Sequence, residues 1–483
     1  MKKILTITAL VVTTLMLTAP LSVTVVNSVV ADFNYRPSLQ YVNLGPLGTT
    51  LPDGLPLCKS SSLGSIVCYT PKFIKKAYNY PSTASLDGSG QTIVIVDAFG
   101  SPTIASDLAL FDAVFKIPNP PSFTIICGDS PTPFDLSTCP QVNINGNPKH
   151  DEFGWTIETS LDVQYAHAMA PGANIVLDVA DTSSGNALNQ AETTAIGLYP
   201  GAIFSQSFGI PEIFLTKNTG NGGQVMQAQK NYVNGIAVGD TFFASAGDSG
   251  ATFGTATPMS NFPASDLHNT AVTGTQGFPY NATGTLQPCP TSTNSSCTSG
   301  LSAYHGPCVL GRTVPPSCVP DGYGGEQVWN EASFGAATGG AQSLLFGVPS
   351  YQSGLGLSAR GPDVDYNAAI DGGVLVVYGG FGSPVLFIVG GTSAGSPQWA
   401  GIAALANQAR ANLSKGTLGD LNPRLYAIYH STSYATDFHD ITVGNDQLVG
   451  TPVGYSAVPG YDLASGIGSP NVANLVADLA AQA

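Results

Sequence analysis

Four short apolar runs, set apart by helix-length stretches, constrain this chain more than any other feature: Thr92–Val96, Asn174–Val179, Ala202–Ser205 and Thr241–Ser245. Runs so short and so poor in polar positions suit strands buried on both faces, as a parallel sheet covered by helices requires. The expected fold class is α/β, a doubly wound, mostly parallel sheet with helices on both faces. At 483 residues and 43% hydrophobic the chain can bury a large core, and its length allows one large domain or several small ones. No internal repeat is visible, and no linker announces a second domain.

Charged residues make up only 10% of the chain, and acidic residues outnumber basic ones 31 to 16. No basic stripe exists to neutralise phosphates, which argues against a nucleic-acid partner. A surface built from Gly, Ser, Thr, Asn and Tyr keeps its polarity when carboxylates are protonated, so an acidic working environment fits. Met1-Lys2-Lys3 precedes an apolar run from Ile4 to Val26, then Val29-Val30-Ala31 before Asp32. This reads as a secretory signal, residues 1–31, cleaved after Ala31. An uncleaved anchor is the rival reading, weakened by Pro20 and the interspersed threonines. Either way the rest is expected outside the cell, secreted and free of the membrane once the signal is removed. The eight cysteines fall in close pairs, Cys58 with Cys68, Cys127 with Cys139, Cys289 with Cys297 and Cys308 with Cys318. Their spacing matches no zinc pattern and favours local disulfides. Residues 276–325, rich in Pro, Ser, Thr, Gly and Cys and without periodicity, read as a disulfide-stapled insertion. Asn281, Asn294 and Asn412 open glycosylation sequons.

Gly390-Gly-Thr-Ser-Ala-Gly-Ser-Pro-Gln-Trp-Ala-Gly401 puts Ser393 in a glycine-rich turn leading into an apolar helical stretch. Ser393 is the candidate nucleophile, and it needs a base. None of the six histidines (His150, His167, His268, His305, His430, His439) sits in a protease context, so carboxylates are the alternative. Trp155–Ala170, closed by Pro171-Gly172, looks helical, with Glu158 and Asp162 at i and i+4 in line with Leu161, Tyr165 and Met169. Two like charges so placed destabilise a helix unless they share a proton or face water. An acidic first turn favoured by the dipole is the bland alternative. The apolar company of the pair points it inward, where one carboxyl pKa rises. Asp248 lies just beyond the carboxyl end of Thr241–Ser245, where open α/β sheets build their sites, although a turn Asp before Gly is an equal reading. Gly247-Asp-Ser-Gly250 imitates the nucleophile loop of chymotrypsin-like proteases, without the base motif or the double-barrel pattern to support it. Gly391-Thr-Ser393-Ala-Gly395 also satisfies the elbow of lipases and esterases. His430 and His439 follow it, so a secreted esterase stays open.

Together these residues resemble the sedolisin family of serine-carboxyl peptidases. In order, the resemblance rests on Glu158-x-x-x-Asp162 with Ala170-Pro-x-Ala-x-Ile175, Ser205-x-Ser-x-Gly209, Ser245-x-Gly-Asp248 and Gly391-Thr-Ser393-x-x-x-Pro397-x-Trp399. Phe346–Gln352, Arg360–Val364 and Leu421–Tyr426 carry smaller signatures. It covers residues 68 to 480, apart from the insertion, and implies a subtilisin-like fold and a catalytic domain over 68–483. It implies Ser393 as nucleophile, Glu158 as general base, Asp162 as the acid orienting Glu158, and Asp248 as oxyanion stabiliser. The expected activity is acid endopeptidase cleavage of protein or peptide substrates by a monomer, since a carboxyl donates to an oxyanion only while protonated. Tripeptidyl peptidases share these motifs, and a catalytically dead binding module is a third reading that the intact set of four residues opposes. The resemblance also implies one structural Ca2+ held by the carboxylates of Asp440 and Asp462 and the carbonyls of Ile441, Val458 and Gly460, an oxygen-only set suited to a hard cation. The family's long inhibitory pro-domain has no counterpart between Ala31 and Cys68. Residues 32–67 form a short leader that can instead belong to the mature enzyme.

Overall fold

The computed structural model describes residues 33–47, 57–60, 64–82, 84–127, 150–216, 222–277, 287–288, 304–305 and 323–483. The signal segment, most of the insertion, two of the sequons and three of the four expected cysteine pairs lie, wholly or in part, outside these residues. Cys58 and Cys68 do form a disulfide.

The N-terminal stretch contributes β1 (Arg36–Pro37), β2 (Gln40–Pro46), β3 (Leu57–Ser60), β4 (Gly64–Tyr69) and helix α1 (Pro71–Ala77). An alternating stretch follows: β5 (Thr92–Ala98), α2 (Ile104–Phe115), β6 (Phe123–Cys127), α3 (His150–Met169), β7 (Asn174–Ala180), α4 (Gly185–Leu198), β8 (Ile203–Gln206), β9 (Phe208–Pro211), α5 (Gly222–Ala237), β10 (Thr241–Ser245), β11 (Asn261–Phe262) and β12 (Asn269–Gly277). The C-terminal part adds β13 (Glu326–Val328), β14 (Val364–Asn367), β15 (Gly373–Tyr378), β16 (Val385–Gly390), α6 (Gly395–Asn412) and α7 (Val472–Ala481).

All four apolar runs are strands of one eight-stranded sheet, ordered β6-β7-β5-β8-β10-β12, with β13 and β14 both paired to β12. Every pairing except β12–β13 is parallel. Successive residues of β5 enter different cores: Ile93 and Ile95 pack with Leu161, Tyr165 and Met169 of α3, Val94 and Val96 with Leu188 and Ala191 of α4. Burial on both faces is why residues 93–96 are all Ile or Val, since each Val or Ile removed from water contributes about 1.5–3 kcal/mol. The chain leaves β5 for β6 and β7 on one side and returns to β8 on the other. This reversal opens a crevice beyond the strands' carboxyl ends, the place where such sheets build sites.

A second sheet, ordered β2-β16-β15-β4-β3, backs the first. Gln164 ties α3 to β15 of this second sheet: its amide donates to the Val377 carbonyl (2.7 Å) and accepts from the Val377 N–H (3.0 Å). That bond sets the rotation of α3 and thereby aims Glu158 and Asp162.

Candidate active site

Ser393 stands where β16 meets α6. Gly391, at φ +107°, breaks the strand, and Thr392–Ala394 form one 3-10 turn before the helix. A side chain is barred at Gly391 twice over: the left-handed region strains any L-residue, and a Cβ would run into Asp248 Oδ2 and the Ser38 carbonyl. Gly391→Ala is expected to displace the turn, with a loss of at least about 2 kcal/mol of stability and of hydrolysis together. Wild-type melting and activity in that variant would refute the packing described.

The Ser393 hydroxyl reaches Glu158 Oε2 at 2.9 Å and the Ser207 carbonyl at 3.1 Å. No histidine approaches it among the described residues. His430 packs edge-on to Tyr429, His439 stacks on Tyr323, and His167 is held by the Pro118 carbonyl and Asp112. The esterase alternative, which needs His430 or His439 at Ser393, therefore has no base in place.

Glu158 and Asp162 are fully buried on α3, as is Asp97 at the end of β5. Burial first, then the charges of Asp162 and Asp97, push the Glu158 carboxyl well above its ordinary range, against the opposing effect of the Ser393 bond. Burial likewise raises Asp162, and burial with the Asp162 charge raises Asp97. Three carboxyls so close and so dry cannot all ionise. Glu158 Oε1 and both Asp162 oxygens lack a well-formed bond from any other residue, which a proton held between the two carboxyls would supply.

Asp248 follows β10, in a loop tied down by Gly339 N–H to the Gly247 carbonyl and by Ala337 N–H to the Asp248 carbonyl. Its Oδ1 accepts from the Thr392 N–H and hydroxyl, both at 2.9 Å, while the same hydroxyl accepts from the Gly247 N–H. Oδ2 is buried and unpartnered. Burial, only partly offset by Thr392, lifts this carboxyl to about 8, so at acid pH Oδ2 carries a proton to donate.

The position that such a donor would serve is filled. The Ser393 N–H donates to the carbonyl of Ser38 at 3.0 Å, and Ser38 N–H donates to the Ser207 carbonyl at 3.2 Å. Upstream, β1 pairs antiparallel with β9, Arg36 opposite Gly209. Tyr35 N–H donates to the Ser183 carbonyl and Gly185 N–H to the Phe33 carbonyl, both at 2.8 Å. Downstream, β2 runs antiparallel to β16. Residues 33–46 thus cross the crevice as an added strand, and Ser393 beneath them is 0% exposed.

The structure brings Ser393, Glu158, Asp162 and Asp248 together. Asp440 and Asp462 converge on a separate loop: both Asp440 oxygens face the Gly460 N–H (3.1 and 3.0 Å), and Asp462 Oδ2 accepts from Val458 N–H at 3.0 Å. Asp97 and the segment 33–39 were missed in the sequence, while Ser207 and Thr392 stood inside the motifs at 205–209 and 391–399 without an assigned role. Asp97 had a usable signal, since it ends an apolar strand at the sheet's carboxyl edge.

Fold and site define a subtilisin-like α/β architecture with a serine–carboxyl constellation. Pseudomonas sedolisin, a serine-carboxyl proteinase solved with two molecules of pseudo-iodotyrostatin, superposes with a TM-score of 0.63 at 24% identity, covering 87% of this chain and all of that one. In sequence the chain is 30% identical over 416 residues to kumamolisin of Bacillus sp. (strain MN-32), covering 83% of this chain and 62% of that protein. It is 27% identical over 410 residues to sedolisin of Pseudomonas sp. (strain 101), covering 82% and 59%. The chain therefore spans about three-fifths of the length of these two relatives. No family model matches it. Its sequence similarity to kumamolisin and sedolisin and its fold similarity to Pseudomonas sedolisin thus agree.

Proposed function

We propose that the protein is a secreted, acid-active serine-carboxyl endopeptidase. The observation that carries this reading is the bond from the Ser393 hydroxyl to Glu158 at the mouth of a crevice already holding a peptide carbonyl on the Ser393 N–H. Ser393 Oγ attacks the substrate carbonyl while Glu158 takes its proton. The oxyanion is met by the Ser393 N–H and by the protonated Asp248. Glu158 then protonates the leaving amine, and water, activated by the same carboxylate, releases the acyl group. Asp162 keeps Glu158 oriented through their shared proton, and Asp97 behind it keeps the pair from losing that proton.

A tripeptidyl peptidase is disfavoured by the strand in the crevice. Six residues, Phe33 to Ser38, lie on the acyl side of Ser393 in continuous pairing, so nothing among the described residues closes the cleft after three. Hydrolysis of an acid-denatured protein from pH 2 to 8 tests the reading. Internal cuts confined to acid are expected; a neutral optimum, or release of tripeptides only, would overturn it.

The loop carrying Asp462 fits the Ca2+ that the resemblance implies: the Gly460 N–H of that loop brings Asp440 to it, and no ion pair reaches either carboxylate among the described residues. The carbonyls of Ile441, Val458 and Gly460 would complete an oxygen set. The ion would supply charge balance and tie residues 440–462 together. Chelation, or Asp462→Ala, is expected to lower the melting temperature, corresponding to a loss of about 2–3 kcal/mol where free Ca2+ exceeds its Kd about 100-fold. Melting indifferent to both would remove the assignment.

A further inference from the structure

Between Gly247 and Gly254 the backbone enters the left-handed region at four residues, and three of them are glycine: Gly247 (φ +102°), Gly250 (φ +67°) and Gly254 (φ +73°). The fourth is Phe253, at φ +49°. A ring-bearing L-residue is strained there, and such strain persists only where the surroundings impose it. The ring is half-buried and belongs to neither of the two large cores. It lies instead against two bare Cα atoms: a Cβ on Gly247 would come within 2.6 Å of it, and one on Gly339 within 3.2 Å. Gly247 is approached by a second side chain, since the same Cβ would stand 3.3 Å from the Asn261 amide nitrogen. That amide also fills the place of a side chain at Gly209 of β9. Asn261 belongs to β11, which pairs with β9, and β9 is the wall along which residues 36–37 cross the crevice.

The backbone wedged in this way carries Asp248. Gly247 directly precedes it, donating its N–H to the Thr392 hydroxyl at 2.9 Å and accepting from the Gly339 N–H at 2.6 Å. Glycine leaves a loop the widest choice of conformations, yet a donor helps an oxyanion only at hydrogen-bond distance from where the charge develops. The hydrogen bonds fix one side of Gly247. The space that its own side chain would have taken is filled by Phe253 and Asn261.

We propose that Phe253 is a positioning residue for the oxyanion donor: its ring, wedged against Gly247 and Gly339 beside the Asn261 amide, fixes the 247–248 backbone so that Asp248 Oδ2 meets the charge developing on the substrate carbonyl. The proposal rests on the peptidase reading of Ser393 and Asp248. Phe253 acts through Gly247 and not on the substrate. The backbone alone would be better served by glycine at 253, so the ring is what the position keeps. Because Oδ2 meets charge that is present only in the transition state, a slackened loop lowers kcat and leaves KM alone.

Phe253→Gly separates the two roles, since it relieves the backbone and removes the ring. The full chain is assayed at pH 4 on a peptide taken from its own digest of denatured protein, with melting confirming that each variant is folded. A fall in kcat of about tenfold or more is expected, with KM within about twofold of wild type. Phe253→Tyr, which keeps the ring, should recover wild-type kcat. In an Asp248→Ala background Phe253→Gly should lower kcat no further, because the group that the ring places is gone. Wild-type kcat in Phe253→Gly overturns the proposal, as does a raised KM at unchanged kcat, or a loss that persists in full without Asp248. Should Phe253→Gly not fold, Phe253→Leu, which keeps apolar bulk without the flat ring, is read by the same three criteria. Wild-type protein without Ser393-dependent hydrolysis removes the peptidase reading and the proposal together, whereas each of the other adverse results leaves that reading standing.

Discussion

Ser393→Ala is expected to lower hydrolysis of an acid-denatured protein by at least about a thousandfold, and Glu158→Gln to fall nearly as far, because nucleophile and base act as one unit and their losses do not add. The double variant should be no worse than the poorer single one. Asp248 behaves differently. Asp248→Ala removes an oxyanion donor and should cost about 10²–10³ in kcat. In Asp248→Asn the amide oxygen can keep the two Thr392 bonds made by Oδ1, and the NH2 then stands where the unpartnered Oδ2 was. This variant should recover part of the loss. It should also hold its activity as the pH rises through the range where the wild-type carboxyl, at about 8 in the buried site, begins to ionise. Glu158→Gln with full activity would remove the base, and identical pH profiles for Asp248→Asn and wild type would remove the oxyanion role.

Much of this site was legible in the sequence because it is made of local signals. The runs at 92–96, 174–179, 202–205 and 241–245 announced strands since two-sided burial favours short, mainly apolar runs, and they fell within a residue or two of the observed β5, β7, β8 and β10. Glu158 and Asp162 share a helix face by spacing alone. The strand at 33–39 left no such trace. β1 is two residues long, Arg36 and Pro37, and its partner Gly209 lies far along the chain. Phe33 and Tyr35 look like isolated aromatics until Phe208 and Phe262 close around them. Thr392 was equally silent: a threonine beside a nucleophile shows nothing of a hydroxyl that bridges Gly247 to Asp248. Non-local pairing and side-chain bridges of this kind carry no periodicity, so only the folded chain reveals them.

The buried carboxyls predict a stability profile opposite to that of an ordinary protein. Asp248 and Glu192 are lifted to about 8 and Glu331 to about 7, each chiefly by burial, and Glu158, Asp162, Asp97 and Asp178 are raised well above their usual values. None of these is paired with Lys or Arg; the described ion pairs involve Asp112, Asp420 and Asp363 instead. In the unfolded chain the same groups titrate near 4. Between about pH 4 and 8 the folded form therefore binds more protons than the unfolded one, and stability must fall as pH rises. Below about pH 4 both forms are protonated and no stability is forfeited; above it each fully buried carboxyl costs up to about 1.4 kcal/mol per pH unit until its folded pKa is reached. Several such groups acting together should lower the melting temperature as the pH rises. Melting of the Ser393→Ala variant, which cannot digest itself, is expected to be highest near pH 3–4 and to drop steadily toward neutrality, whereas a melting temperature rising from pH 4 to 7 would mean that these carboxyls are ionised in the fold. The same protons serve the chemistry, since Asp248 donates and the Glu158–Asp162 pair holds together only while they are bound, so stability and activity should fail over one pH range.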